Sequence, residues 1–149
     1  MRKLTPLKLI MLVDDDDTTN YLNQRLLEGL NAAEKILVMK DGEEALNYLM
    51  KSCDGENNEQ YPCPQLIFMD IKMPVMDGFE FLEAYKKSDL SKKQDVIIMM
   101  LTSSASFYDL EKLKQYPEVK KHYSKSLTEI DVKDLMQIYF PNHVTRVEN

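Results

Sequence analysis

Five short apolar runs punctuate this chain: Leu7 to Val13, Ile36 to Met39, Gln65 to Asp70, Val96 to Leu101, and a weaker one from Val119 to Ser124. They are near-continuous in hydrophobicity rather than alternating, the pattern of parallel strands covered on both faces. Helical stripes lie between them. Leu22, Leu26 and Leu30 repeat every four residues after the first run, closing near Gly29. Asp41-Gly42 turns the chain into a stripe of Ala45, Leu46 and Leu49, and Phe79, Leu82 and Tyr85 form the next. Phe107, Leu110 and Leu113 predict a shorter helix before Pro117, and Leu135, Ile138 and Tyr139 a last one before Pro141. This alternation predicts an α/β fold: a doubly wound five-stranded parallel sheet with right-handed crossovers and helices on both faces. Its functional crevice belongs beyond the carboxyl ends of the strands.

The 149 residues are expected to form one domain, 1–149, with an exposed insertion at 51–64 and a short tail at 141–149. Such a domain buries roughly 68–70% of its unfolded surface. A formal charge of −6 argues against a nucleic-acid partner. Cys53 and Cys63 stand in one polar segment with no histidine nearby, which leaves zinc poorly supported. They read as free thiols in a reducing compartment, a loop-closing disulfide being the alternative. Lys8 and four acids interrupt the start of the chain where a signal peptide would be apolar, and the longest aliphatic run, Val96 to Leu101, is too short to span a bilayer. A cytoplasmic protein with no membrane contact is the expectation.

Two of the runs stop on carboxylates. Asp14 to Asp17 follow the first directly, and Asp70 ends the third. Neighbouring parallel strands would bring these acids together, and two carboxylates ~4 Å apart repel by about 4 kcal/mol at an effective dielectric of ~20. Acids so gathered favour a hard cation such as Mg²⁺. Thr102 and Lys125 also stand at strand ends. Carboxylates for a cation, one hydroxyl and one ammonium are the parts that phosphoryl transfer needs, and a carboxylate such as Asp70 can itself accept the phosphoryl group.

The runs LVDDDDTTNYL, LIFMDIKMPVMDGFEFL, VIIMMLTSSAS and YSKS resemble the receiver domain of two-component response regulators, with its flavodoxin-like fold. The most specific piece, Asp70 to Gly78, matches that family's D-x-x-M-P-x-M-D-G. The resemblance implies a phosphoacceptor signalling protein, not an enzyme with a substrate of its own, although it can assist its own phosphorylation and dephosphorylation. It implies Asp70 as phosphoacceptor. Asp15 and Asp70 would hold Mg²⁺ with the backbone carbonyl of Lys72, and Asp14 would act through water. Thr102 and Lys125 would contact the phosphoryl group, and Ser103 would leave room for the donor. Lys72 and Ser104 occupy positions that tune phosphate loss, and Pro74 and Gly78 shape the loop after the third strand.

The chain departs from the family pattern in places. Ser126 replaces the proline that usually follows the lysine, so the Lys125–Ser126 peptide is expected to be trans, a cis bond before a non-proline residue costing about 2.5–4 kcal/mol. His122 takes the aromatic switch position, and Asp16 and Asp17 are read as helix-starting acids. The implied partners are a histidine kinase or phosphotransfer protein and a downstream protein target, with the chain a monomer or weak homodimer and no output domain of its own. The Lys-Ser pair and the insertion resemble receivers that partner bacterial phytochrome kinases. Competing readings are a haloacid-dehalogenase-type phosphatase using Asp14 and Asp16, and a receiver-like module that is never phosphorylated.

Overall fold

The computed structural model describes residues 2–54, 59–103 and 106–146. In chain order these form β1 (Arg2–Leu4), β2 (Leu7–Val13), α1 (Asp17–Gly29), β3 (Ala33–Met39), α2 (Gly42–Ser52) and β4 (Leu66–Asp70). There follow α3 (Gly78–Lys87), β5 (Ile97–Thr102), α4 (Phe107–Leu113), β6 (Val119–Ser124), α5 (Glu129–Tyr139) and β7 (Val144–Arg146). Five strands make one parallel sheet in the order β3-β2-β4-β5-β6. The strand order reverses between β2 and β4, which opens a crevice beyond their carboxyl ends. Asp14 and Asp70 stand at that crevice.

The parity of the strands sorts the helices. Met11, Val13, Ile67, Met69, Ile98 and Met100 face one layer, against Ala45, Leu49, Phe81, Leu82 and Tyr85 of α2 and α3. Ile10, Leu12, Phe68, Met99 and Leu101 face the other, against Leu27 of α1 and Val132, Leu135 and Met136 of α5. Because alternate residues on both sides of the sheet are apolar, each strand reads as a continuous run. No helix among the described residues is long and apolar enough to cross a membrane.

Several details differ from the sequence reading. The stripe Leu22-Leu26-Leu30 is not the buried face of α1: Leu22 is 48% exposed, while Thr19, Asn20, Asn23 and Leu27 turn inward. On α5, Ile138 is exposed and Val132, Leu135 and Met136 are buried. The strand β3 begins at Ala33 rather than Ile36, its polar start lying on a sheet edge. Arg2–Leu4 and Val144–Arg146, not foreseen as strands, pair antiparallel in a separate ribbon, Arg2 opposite Arg146.

Cys53 and Cys63 are not free thiols; they form a disulfide with a Cα–Cα separation of 4.9 Å. Cys53 caps the end of α2, and the chain returning to β4 must pass beside it. The described parts of the insertion are also tied by the Tyr48 hydroxyl, which donates to the Pro62 carbonyl at 2.8 Å. The bridge closes a short loop, of sequence separation 10. Loop closure of that length stabilises by about 2–3 kcal/mol through the unfolded state. Reduction, or the Cys53→Ser/Cys63→Ser pair, is therefore expected to lower Tm by roughly 5–10 °C in a thermal melt.

Candidate functional site

Asp14 leaves the end of β2 already fixed by its backbone. Its N–H donates to the Met39 carbonyl at 3.0 Å, and its own carbonyl accepts from Asn20 Nδ2 at 2.8 Å. Its carboxylate Oδ1 accepts the Asp16 N–H at 2.9 Å. Asp14 and Asp70 are both buried, 1% and 4% exposed, while Asp15 is open to solvent. One carboxylate oxygen from each of the three lies within 4.8 Å of the other two.

Lys125 answers part of this charge. Its Nζ donates to Asp70 Oδ2 at 2.9 Å and to Asp14 Oδ1 at 3.4 Å, with Asp14 Oδ2 at 3.2 Å. Burial works against the ammonium, but the hydrogen bond and charge of Asp70, then those of Asp14, outweigh it and push the Lys125 pKa up. Burial also pushes the Asp14 carboxyl up, helped by the Asp70 charge and opposed by the Asp16 amide and by Lys125. Among the described residues Lys125 meets two of the three carboxylates, so the pocket remains electronegative. Asp14 Oδ2 is buried and accepts no hydrogen bond among the described residues. An acceptor in that condition, within an all-oxygen donor set, fits a hard divalent cation.

Thr102 ends β5 half-buried, and its carbonyl accepts the Lys125 N–H at 3.1 Å, which ties the two loops together. Lys125–Ser126 is trans, as expected, and Ser126 takes a left-handed φ of 62° to turn the chain. The next amide, Leu127 N–H, donates to Asn23 Oδ1 at 2.9 Å. Asn20 and Asn23, both on α1, thus hold the Asp14 and Lys125 loops from below. Sequence reading missed them because it followed the leucine stripe. Their spacing of three residues, one helical turn after the acids, was the available signal.

Asp16 lies outside the cluster. It caps α1, accepting from Thr18 N–H and the Thr19 hydroxyl, and these bonds lower its pKa with Thr19 the leading cause. Asp17 starts the helix and pairs with Lys40. Asp16 is therefore not poised as the acid/base partner of Asp14 that the phosphatase reading requires. Lys72 and Ser103 are exposed near the crevice, and Ser104 lies outside the described residues. His122 is exposed beside Leu110 and Val119 in a groove between α4 and β6, while its neighbour Tyr123 is the buried ring.

The loop after Asp70 is tightly folded. Met76 N–H donates to the Pro74 carbonyl at 2.7 Å across Val75, whose φ is 66°. A three-residue turn at positive φ is strained, most of all for a β-branched residue. Val75 is 72% exposed, so its side chain adds little packing to offset the strain. Val75→Asn is expected to raise stability by about 1 kcal/mol, seen as a higher urea midpoint with unchanged m.

Residues 10–136 match the family model described as "Response regulator receiver domain". Response regulator Rcp1 of Synechocystis sp. is 30% identical over 94 residues, covering 63% of this chain and 62% of that protein. The solved Mn(2+)-bound form of Rcp1 shares the fold, with a TM-score of 0.69 at 23% identity over 95% of this chain and 100% of the other. A two-component response regulator from Cytophaga hutchinsonii has a TM-score of 0.78 at 27% identity, covering 93% and 98% of the two chains. The bacteriophytochrome response regulator AtBRR gives 0.72 at 27% identity, covering 96% and 98%. The matched segments span about three fifths of the length of the curated relatives Rcp1 and FilR2 of Methanothrix harundinacea.

Proposed function

Because the chain belongs to the response regulator receiver family, we propose that Asp70 is the residue through which it is phosphorylated. The observation that carries this reading is the pairing of a buried Asp70 with Lys125 at 2.9 Å, beside two further acids at the sheet's switch point. Lys125 engages Oδ2, which leaves Oδ1 of Asp70 as the attacking oxygen. In the transfer, that oxygen forms the new O–P bond as the bond from phosphorus to the donor breaks. The donor's leaving group takes the electron pair.

Receiver domains bind a divalent metal at this aspartate cluster. We infer Mg²⁺ here, held by Asp15 and Asp70 with the Lys72 carbonyl, and by Asp14 through water. When bound, the ion neutralises charge on the transferring phosphoryl group. Lys125 exchanges its carboxylate partner for a phosphoryl oxygen, and the Thr102 hydroxyl donates to another. Ser103, small and exposed, leaves the approach open to a donor. The same groups would assist hydrolysis of the acyl phosphate, with Lys72 and Ser104 tuning its rate and His122 standing at the switch position.

The donor is a histidine kinase or phosphotransfer protein, and the output is contact with a protein target. The likeness to a bacteriophytochrome response regulator supports a phytochrome-type kinase as that donor. The reading is tested by incubation with acetyl phosphate and Mg²⁺, followed by intact mass. One added phosphoryl group is expected, and none when EDTA is present throughout the incubation. An unchanged mass would favour a module that only binds, and turnover of a generic phosphate ester without labelled protein would favour the phosphatase.

A further inference from the structure

The opposite pole of the sheet carries a second cavity that the phosphorylation site does not use. It has a volume of about 540 Å³ and lies at the amino ends of β5 and β6, bounded by Tyr85, Asp95, Glu118, Lys120, Tyr139 and Phe140. That volume falls within the range of small-molecule sites.

Two buried polar atoms on its wall have no hydrogen bond among the described residues: the Tyr85 hydroxyl and Glu118 Oε2. Tyr85 is 1% exposed, and its ring is stacked on Phe81 at 5.8 Å, which fixes where the hydroxyl points. Leaving such atoms unpaired costs about 1–3 kcal/mol each, so a partner is strongly favoured. The one cation on the wall among the described residues, Lys120, is already engaged, its Nζ donating to the Pro117 carbonyl at 3.1 Å. Asp95 adds a second carboxylate at the exposed rim.

Two acids and a phenol oxygen beside two aromatic rings suit a group with several donors, no acceptor and an apolar body. An ammonium has three donors and no acceptor, and aromatic rings attract it at their faces. A bare metal ion fits less well, since Asp95 and Glu118 do not form one of the three-acid clusters among the described residues. The neutrality of the phenol agrees with this, for burial, with the charges of Glu118 and Asp95, pushes the Tyr85 pKa up to about 12.

We propose that this cavity binds a small organic ammonium ion, its N–H groups meeting Glu118 Oε2 and the Tyr85 hydroxyl and its ring lying against Tyr139 and Phe140. The probe is benzylamine, titrated into the full ¹⁵N-labelled chain and followed by amide shifts. Saturable changes confined to Gln94 to Ile97, Glu118 to Lys120 and Tyr139 to Phe140 are expected. Glu118→Gln should weaken binding at least tenfold, and Tyr85→Phe about threefold, with both melts close to that of the parent chain. If either variant fails to fold, Asp95→Asn at the exposed rim should weaken binding about twofold. Benzyl alcohol, of the same shape without charge, should not bind. N-acetyl-lysine amide, carrying its ammonium on a peptide-like stem without a ring, should bind more weakly than benzylamine. No saturable shifts, equal binding of the alcohol, the reverse order for the lysine derivative, or affinity unchanged in Glu118→Gln would each overturn the proposal.

Discussion

Asp70→Asn is expected to abolish uptake of a phosphoryl group from acetyl phosphate while leaving the chain folded. An amide keeps the shape of the carboxylate but lacks the charge that makes it a nucleophile. The fold should tolerate the change well. Asp70 is 4% exposed and shares its pocket with Asp14, so its charge is held against both burial and repulsion. Lys125 loses its bond to Asp70 but keeps Asp14, whose Oδ2 lies at 3.2 Å. Unfolding in urea without metal should give a midpoint equal to or above that of the parent, and intact mass should show no adduct. Labelling that persists undiminished would remove Asp70 from the role given to it.

The second large effect is steric. Gly78→Ala should destabilise the protein by about 3 kcal/mol, since overpacking of this kind commonly costs 1–3 kcal/mol and more against rigid backbone. A Cβ at Gly78 would lie 2.7 Å from the Asp70 carbonyl oxygen and 3.0 Å from Ile71 Cα. The Met100 methyl at 2.8 Å can swing away, but those two backbone atoms cannot. Gly78 N–H also donates to the Ile71 carbonyl at 2.8 Å, so the helix start and the strand that carries Asp70 cannot separate without losing that bond. Gly29→Ala is the control: nothing lies within 4 Å of its Cβ, and the urea midpoint should hold or rise. Equal midpoints for the two alanine variants would contradict the close-approach argument.

The sheet was legible because its strands are buried on both faces and therefore read as unbroken apolar runs. The acids were legible for a related reason: each interrupts such a run where the strand must end. What escaped the sequence was polar or distant. The inward face of α1 carries Asn20 and Asn23, whose hydrogen bonds to the Asp14 carbonyl and the Leu127 N–H make burial tolerable, so a leucine stripe nearby took their place in the reading. The start of β3 is polar because it lies on a sheet edge. The pairing of Cys53 with Cys63 depends on where the chain returns after α2, which composition does not encode. Roles within the site came from the resemblance to receivers, whereas the physical reading alone reached a cation pocket suited to phosphoryl transfer.

The ribbon of β1 and β7 pairs Arg2 with Arg146 and Leu4 with Val144, and β1 leads within a few residues into the amino end of β2. The aspartate cluster lies at the other end of that strand, about 20 Å away for seven residues of extended chain. Both ends of the described chain therefore meet at the pole remote from the aspartates, and the path is almost a closed ring. A fusion partner attached at either side would depart from the same place without shadowing the site. A circularly permuted chain, joined across the ribbon and opened at the turn between α3 and β5, should rebuild the same sheet and still accept phosphate.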